Sequence, residues 1–221
     1  MPQPPRNLDE QVYLRTHALR YAVLLELVGA IAPKRILVVG PSYESALLRE
    51  RFADATVNTL GWLDDRFPLR EGEQHVQLDL NALDYPQLEP HDLVVCCEVI
   101  EHLHVSAARV LGFLATGLAP EGRLLVQTPN ATALPKRIKM LLGRNPYEPL
   151  RDEPANPGHF HEYTVPELRA AVEDAGLEVE RLLTASYFDH GSRKNGAYRA
   201  LSPLLPGTLR EGITLVARRS R

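Results

Sequence analysis

Residues 92–97 read DLVVCC and run directly into residues 98–103, EVIEHL. The first six form a nearly continuous apolar run, the pattern of a strand covered on both faces in the middle of a parallel sheet. Acidic and imidazole side chains then collect at its carboxyl end. A helical pattern follows from Val99 to Leu118, with Leu103, Ala107, Val110, Leu111, Leu114 and Leu118 on one face and Pro120 and Gly122 as its stop. A buried strand, a polar corner and an amphipathic helix together read as one β-α unit.

Working outward, runs of the same kind occur at residues 35–40 (RILVVG), 56–60, 75–80 and 123–128 (RLLVQT), each separated by a helix or loop. This alternation predicts an α/β domain: a seven-stranded, mostly parallel, doubly wound sheet with helices on both faces. Residues 179–185 and 213–217 read as its last two strands. Near the start, Asn7 and Glu10 have the spacing of a capping box, and Leu14, Ala18, Tyr21, Leu25 and Val28 mark one face of a helix ending before Pro33. A second capping box, Thr164 with Glu167, opens a helix through Leu168 and Val172 that stops at Gly176.

The chain of 221 residues reads as one domain, with a tail and helix over 1–33 and an insertion or lid over 134–160 after the fifth strand. There a basic amphipathic piece, LPKRIKMLLGR, gives way to a Pro-rich one, NPYEPLRDEPANPG. A net charge of −3 supplies no broad basic field, which argues against duplex DNA as a partner. The two cysteines, Cys96 and Cys97, are adjacent in an apolar run without metal-ligand spacing, so they read as small buried hydrophobes of a reducing compartment. No stretch approaches the roughly 20 apolar residues of a membrane span, and MPQPPR has no apolar core of a leader, so a cytoplasmic protein is expected. No oligomeric state is read from the sequence.

In open α/β sheets, ligands bind beyond the carboxyl ends of the strands, where the strand order switches. Those ends carry Gly40, Gly61, Asp79, Glu98 and Thr128-Pro129-Asn130, residues that turns also favour. Taken together, the succession RILVVGPSYES, QLDL, HDLVVCCEVIEHL, GRLLVQTPN and HEYTVPELRAAVEDAGLEVERL resembles the class I S-adenosylmethionine-dependent methyltransferases across roughly residues 30–188. The pairing of EVIEHL with TPN is shared by ubiquinone-type O-methyltransferases and small-RNA 2′-O-methyltransferases. The resemblance implies S-adenosylmethionine as cofactor. It places Gly40 and Ser42 beside the methionine part, Asp79 and Leu80 near the adenine, and Glu98 at the sulfonium end.

Two departures from the family pattern stand out. Val38 replaces an acid, and Ser42 and Glu44 replace glycines of the loop after the first strand, which should reshape the pocket. The acid expected to grip the ribose hydroxyls falls near Gly61 in LGWLDD, leaving Asp64 or Asp65 to substitute.

Glu98, Glu101 and His102 stand at i, i+3 and i+4, one face of a helix that begins at the strand's end. The resemblance adds His159, in HFHEYT, as a fourth member of a set for Mg²⁺, Mn²⁺ or Zn²⁺. Pairing of these acids with a helix dipole and with the imidazoles is the plainer alternative. Without a metal, His102, His159 and His161 are candidate general bases. Lys136, Arg137, Lys139 and Arg144, with Tyr147 beyond them, form either a grip for a phosphate-bearing acceptor, such as a nucleotide sugar or RNA end, or a solvated helix face.

The expected function is methyl transfer from S-adenosylmethionine to an oxygen of a small-molecule, sugar or nucleotide-type acceptor. A catalytically degenerate binding module on the same fold is the alternative. A dinucleotide oxidoreductase would need G-x-G-x-x-G where GPSYES stands, and ranks last.

Overall fold

Alternating side chains of the central strands divide the core into two layers. The computed structural model describes residues 8–152 and 157–220, so the Asn7 cap lies outside the described residues. Strand β1 (Arg35–Val39) sends Leu37 and Val39 to one face and Ile36 and Val38 to the other. Beside it, β4 (His91–Cys97) does the same with Val94 and Cys96 against Leu93, Val95 and Cys97. Helices α4 (Ala107–Thr116) and α6 (Val165–Asp174) cover the first face. The second is covered by α2 (Ala18–Ile31) and α3 (Tyr43–Arg51). Burial on both sides is why these strands have no polar alternation.

Five strands run parallel: β1, β4, β2 (Thr56–Gly61), the short β3 (His75–Gln77) and β5 (Leu118–Pro129). Strand β6 (Leu177–Ala185) pairs only with β7 (Gly212–Arg219), which runs antiparallel to both β5 and β6. The complete order is β3-β2-β1-β4-β5-β7-β6. The seven-stranded, mostly parallel sheet expected from the sequence is therefore present, with its strand order reversing direction between β1 and β4.

Several expected boundaries are corrected. The helix expected over Val99–Leu118 begins only at Ala107, where Ser106 caps it, and ends at Thr116. Glu98 has a left-handed backbone (φ +54°), and Ile100–His102 form one 3₁₀ turn before the chain extends at Leu103. Pro120 and Gly122 consequently lie inside β5, beside a register shift between His91 and Leu93. A Cβ at Gly122 would stand 2.9 Å from the carbonyl oxygens of Ala119 and His91, so only glycine fits this close approach. Strand β3 ends at Gln77 rather than Leu80. The first helix breaks at His17 into α1 (Leu8–Thr16) and α2, whose buried side is Arg20, Tyr21, Leu24, Leu27 and Val28, with Ala18 outside. The Thr164–Glu167 capping box is formed as expected. The insertion contributes α5 (Leu134–Leu141), and α7 (Arg193–Leu201) precedes β7. Among the described residues, no helix is long and apolar enough to cross a membrane.

The α1–α2 junction is held by the His17 ring, which stacks on Tyr13 at 4.2 Å and accepts a hydrogen bond from Arg20 Nε at 3.2 Å. Burial, then the Arg20 charge, pushes the His17 pKa down to about 4. The unfolded chain takes up this proton near pH 6.5, so stability is expected to fall as pH drops from about 6.5 towards 4. Thermal midpoints measured between pH 7.5 and 4.5 should decline less for His17→Asn, which keeps an acceptor but cannot be protonated. Parallel declines would show that His17 is not the titrating group.

Candidate active site at the carboxyl edge of the sheet

The switch in strand order opens a crevice beyond the ends of β1 and β4. Gly40 and Gly61 bring the first two strand ends together there. Gly40 N donates to Leu60 O at 2.6 Å, and a Cβ on Gly61 would meet Gly40 N at 3.6 Å. Both have positive φ, +81° and +124°, and the space above Gly40 is open. Ser42 opens α3, its N–H donating to Ser45 Oγ at 3.1 Å.

The other expected cofactor residues divide. Glu98 borders the crevice at the end of β4, and burial raises its carboxyl pKa while Arg20 opposes the rise. Asp79 is exposed beyond β3, with Oδ1 accepting from Asn81 N at 2.9 Å, and Leu80 packs into the core. Asp64, expected to substitute for the ribose-binding acid, has both its oxygens gripped by Arg66, with one contact at 2.6 Å, which lowers its pKa.

Beside the crevice, Glu101, His102 and His159 each aim one ligand atom into a space where these atoms lie within 4.8 Å of one another. Fully buried Glu101 accepts from Thr128 Oγ1 at 3.0 Å through Oε2, while its Oε1 has no hydrogen-bond partner among the described residues. His102 Nδ1 lies 3.0 Å from Gly158 O, and His159 Nδ1 lies 3.0 Å from Glu162 Oε1. Protonation of each Nδ1 leaves both Nε2 atoms as acceptors, the orientation that outer partners usually impose on imidazole ligands. Burial lowers both histidines, His159 to about 4, and raises Glu101 well above the usual carboxylate range. The loop is tied in place by Phe160 N donating to Glu101 O at 2.8 Å.

One member of the expected metal set, Glu98, and one candidate general base, His161, fall outside this cluster. Glu98 is not among its ligands, because the left-handed turn at this residue abolishes the helical face that would have aligned it with Glu101 and His102. His161 turns outward to Tyr163 and Glu167 and lines a groove of about 610 Å³ between α4 and α6.

The structure also adds residues that pattern reading passes over. Lys136 does not form part of a solvated basic face; it turns inward to pair with Glu162, and burial lowers its ammonium to about 8. Arg137, whose Nε donates to Thr132 O at 2.7 Å, stays exposed with Lys139 and Arg144. Burial raises the Glu211 carboxyl to about 7. Arg20, buried completely in α2, pairs with Glu44 of α3 at 2.6 Å. The spacing Arg20, Leu24, Val28 was the available signal, since an i, i+4, i+8 stripe buries whatever it carries.

A doubly wound sheet with an antiparallel seventh strand inserted beside the fifth, and its crevice between the first and fourth, defines the class I methyltransferase fold. Residues 21–182 match the methyltransferase domain family, and the chain belongs to that family; its class is that of the S-adenosylmethionine-dependent methyltransferases. Among curated proteins, it is similar to a "probable S-adenosylmethionine-dependent methyltransferase" of Mycolicibacterium smegmatis. The two are 39% identical over 92 residues, 42% of this chain but only 30% of that protein. The fold is similar to magnesium protoporphyrin IX methyltransferase of Synechocystis, solved with bound S-adenosylhomocysteine: TM-score 0.59, 15% identity, 99% of this chain and 90% of that one. An S-adenosylmethionine-dependent methyltransferase of Mesorhizobium loti gives a TM-score of 0.58 at 16% identity, covering 88% and 96%.

Proposed function

We propose that this chain transfers a methyl group from S-adenosylmethionine to an oxygen of a small acceptor, of sugar or nucleotide type. The observation that carries this reading is the Glu101–His102–His159 cluster standing at the same sheet edge as the Gly40–Gly61 crevice. Methyl transfer requires in-line placement of a nucleophile and removal of one proton, with no covalent intermediate on the protein. His159 Nε2, oriented through Nδ1 by Glu162, is placed to receive that proton.

With a pKa of about 4, His159 is a weak base on its own. One carboxylate oxygen of Glu101 and one ring nitrogen from each of His102 and His159, all within 4.8 Å of one another, fit a divalent cation, and two imidazoles suit Mn²⁺ or Zn²⁺ better than Mg²⁺. Glu101, His102 and His159 would hold it. Such an ion, when bound, supplies polarisation of an acceptor hydroxyl. Exposed Lys139 and Arg144, in the insertion that also supplies His159, support a phosphate-bearing acceptor, an RNA end included. The buried, unbridged Cys96 and Cys97 fit a cytoplasmic setting.

Calorimetric titration with S-adenosylhomocysteine should show binding, and acceptor turnover should fall when a chelator is added. Turnover unchanged in chelator would leave His159 as the base and remove the metal. Absence of binding to the folded protein would favour the second reading, a non-catalytic module, which the Asp64–Arg66 pair and the substituted glycines support.

A further inference from the structure

Helix α5 of the insertion is oriented opposite to a helix that serves a core. None of its residues is buried, and every residue from 137 to 145 is exposed. A charged side chain ties it to the body instead: Lys136 turns inward to Glu162 and lies 5.8 Å from the centre of the Tyr147 ring. At about 100° per residue, Ile138 and Leu141 stand roughly 140–160° round the helix axis from Lys136, and Leu142 continues their side. Anchoring Lys136 therefore turns this apolar arc to solvent, where Ile138 is 48%, Leu142 68% and Leu141 86% exposed. An ordinary surface helix has the reverse orientation, with its apolar side inward and its charges outward.

The charges around the arc indicate what covers it. Arg137 lies along one border and Lys139 along the other, both exposed, and Arg144 follows just beyond the helix. From Leu134 to Tyr147 the chain has no Asp or Glu. An apolar arc bordered by cations on both sides is complementary to an anionic bilayer surface. The aliphatic tips enter the boundary between headgroups and acyl chains, and the long basic side chains reach back to lipid phosphates. A second copy of the chain on this face would bring two sets of these cations together, and a soluble polyanion would leave the aliphatic tips in water. We infer that residues 134–144 dock this protein on a membrane surface rich in anionic lipid, with α5 lying in the plane of the interface. The docking stands apart from the methyl-transfer reading. It needs no spanning helix, and none occurs among the described residues.

Co-sedimentation of the full chain with vesicles tests this. Vesicles of equal parts phosphatidylglycerol and phosphatidylcholine should retain the protein, pure phosphatidylcholine should retain it about tenfold less well or worse, and rising salt should weaken retention. Ile138→Ser/Leu141→Ser removes exposed groups only, so the thermal midpoint should stay while vesicle affinity falls by about tenfold or more. Lys139→Gln/Arg144→Gln should weaken binding to the anionic vesicles roughly fivefold for each charge removed. No retention on anionic vesicles would overturn the proposal. Retention that needs the two cations but is indifferent to Ile138 and Leu141 would also overturn it, and would reduce the stretch to a patch for soluble polyanions. A dimer in sedimentation velocity that Ile138→Ser/Leu141→Ser abolishes, without vesicle binding by the wild type, would give the face to a second copy instead.

Discussion

Replacing Glu101 by glutamine is expected to lower methyl transfer by about a hundredfold or more, the range of a lost acid-base or metal-linked group, while S-adenosylhomocysteine binding stays unchanged. The side chain is fully buried beside two imidazoles, one oxygen is held by Thr128, and the other has no hydrogen-bond partner among the described residues. Glutamine retains the shape and the bond from Thr128 but offers no anionic oxygen. Because burial already keeps this carboxyl well above its usual pKa, the neutral substitute should cost the fold little. Single-turnover rates and a thermal midpoint measured on the same preparation separate the outcomes. Full activity would reduce Glu101 to a structural tie for the turn after β4. A collapse of the midpoint together with the rate would do the same.

The second large effect is on stability. Arg49 of α3 and Glu73, in the loop that leads from β2 to β3, form a buried pair with Nε–Oε contacts of 2.8 and 3.0 Å. Arg49 also donates to Ser45 Oγ at 3.3 Å and to Val57 O at 3.4 Å. Arg49→Met would leave Glu73 buried without its countercharge, a change that typically costs about 3–5 kcal/mol. For a domain of this size that corresponds to a fall in thermal midpoint on the order of 10 °C. Adding Glu73→Met should recover most of it, since removing both charges also removes the desolvation penalty. Additive losses in the double variant would instead assign the stability to packing of the two side chains.

What the sequence made legible follows from how each element is buried. The middles of β1, β4 and β5 (residues 36–39, 93–97 and 124–126) are continuously apolar because both faces are covered, and this signal needs no knowledge of neighbours. The capping box at Thr164 is equally local. The helix expected over Val99–Leu118 misread a break, because apolar spacing continues through Leu103 although Glu98 has turned the chain and Ser106 restarts it. Of the site, Glu101 and His102 were legible from their spacing, which wrongly brought Glu98 with them, His159 from the family resemblance alone, and Gly40 and Gly61 because they end strands. The Asp64–Arg66 pair, two residues apart, is local, and was passed over because the acid was read for a ligand and not for a neighbouring cation. Glu44, Lys136 and Glu162 were illegible for a shared reason: charged residues on helices and loops ordinarily face water, and their burial here is decided by partners distant in the chain, whereas Arg20 had the stripe it shares with Leu24 and Val28.

The position of β7 has a consequence for how this sheet can be completed during synthesis. Among the described residues, β6 has no hydrogen-bonded neighbour strand except β7, and β7 fills the place between β5 and β6. A ribosome that has delivered residues 1–211 has therefore released six strands but only five that can associate. β6 must wait as an unpaired edge until residues 212–219 emerge and slot between strands made some 30 and 80 residues earlier, a closure of the kind that slows folding through its long loops.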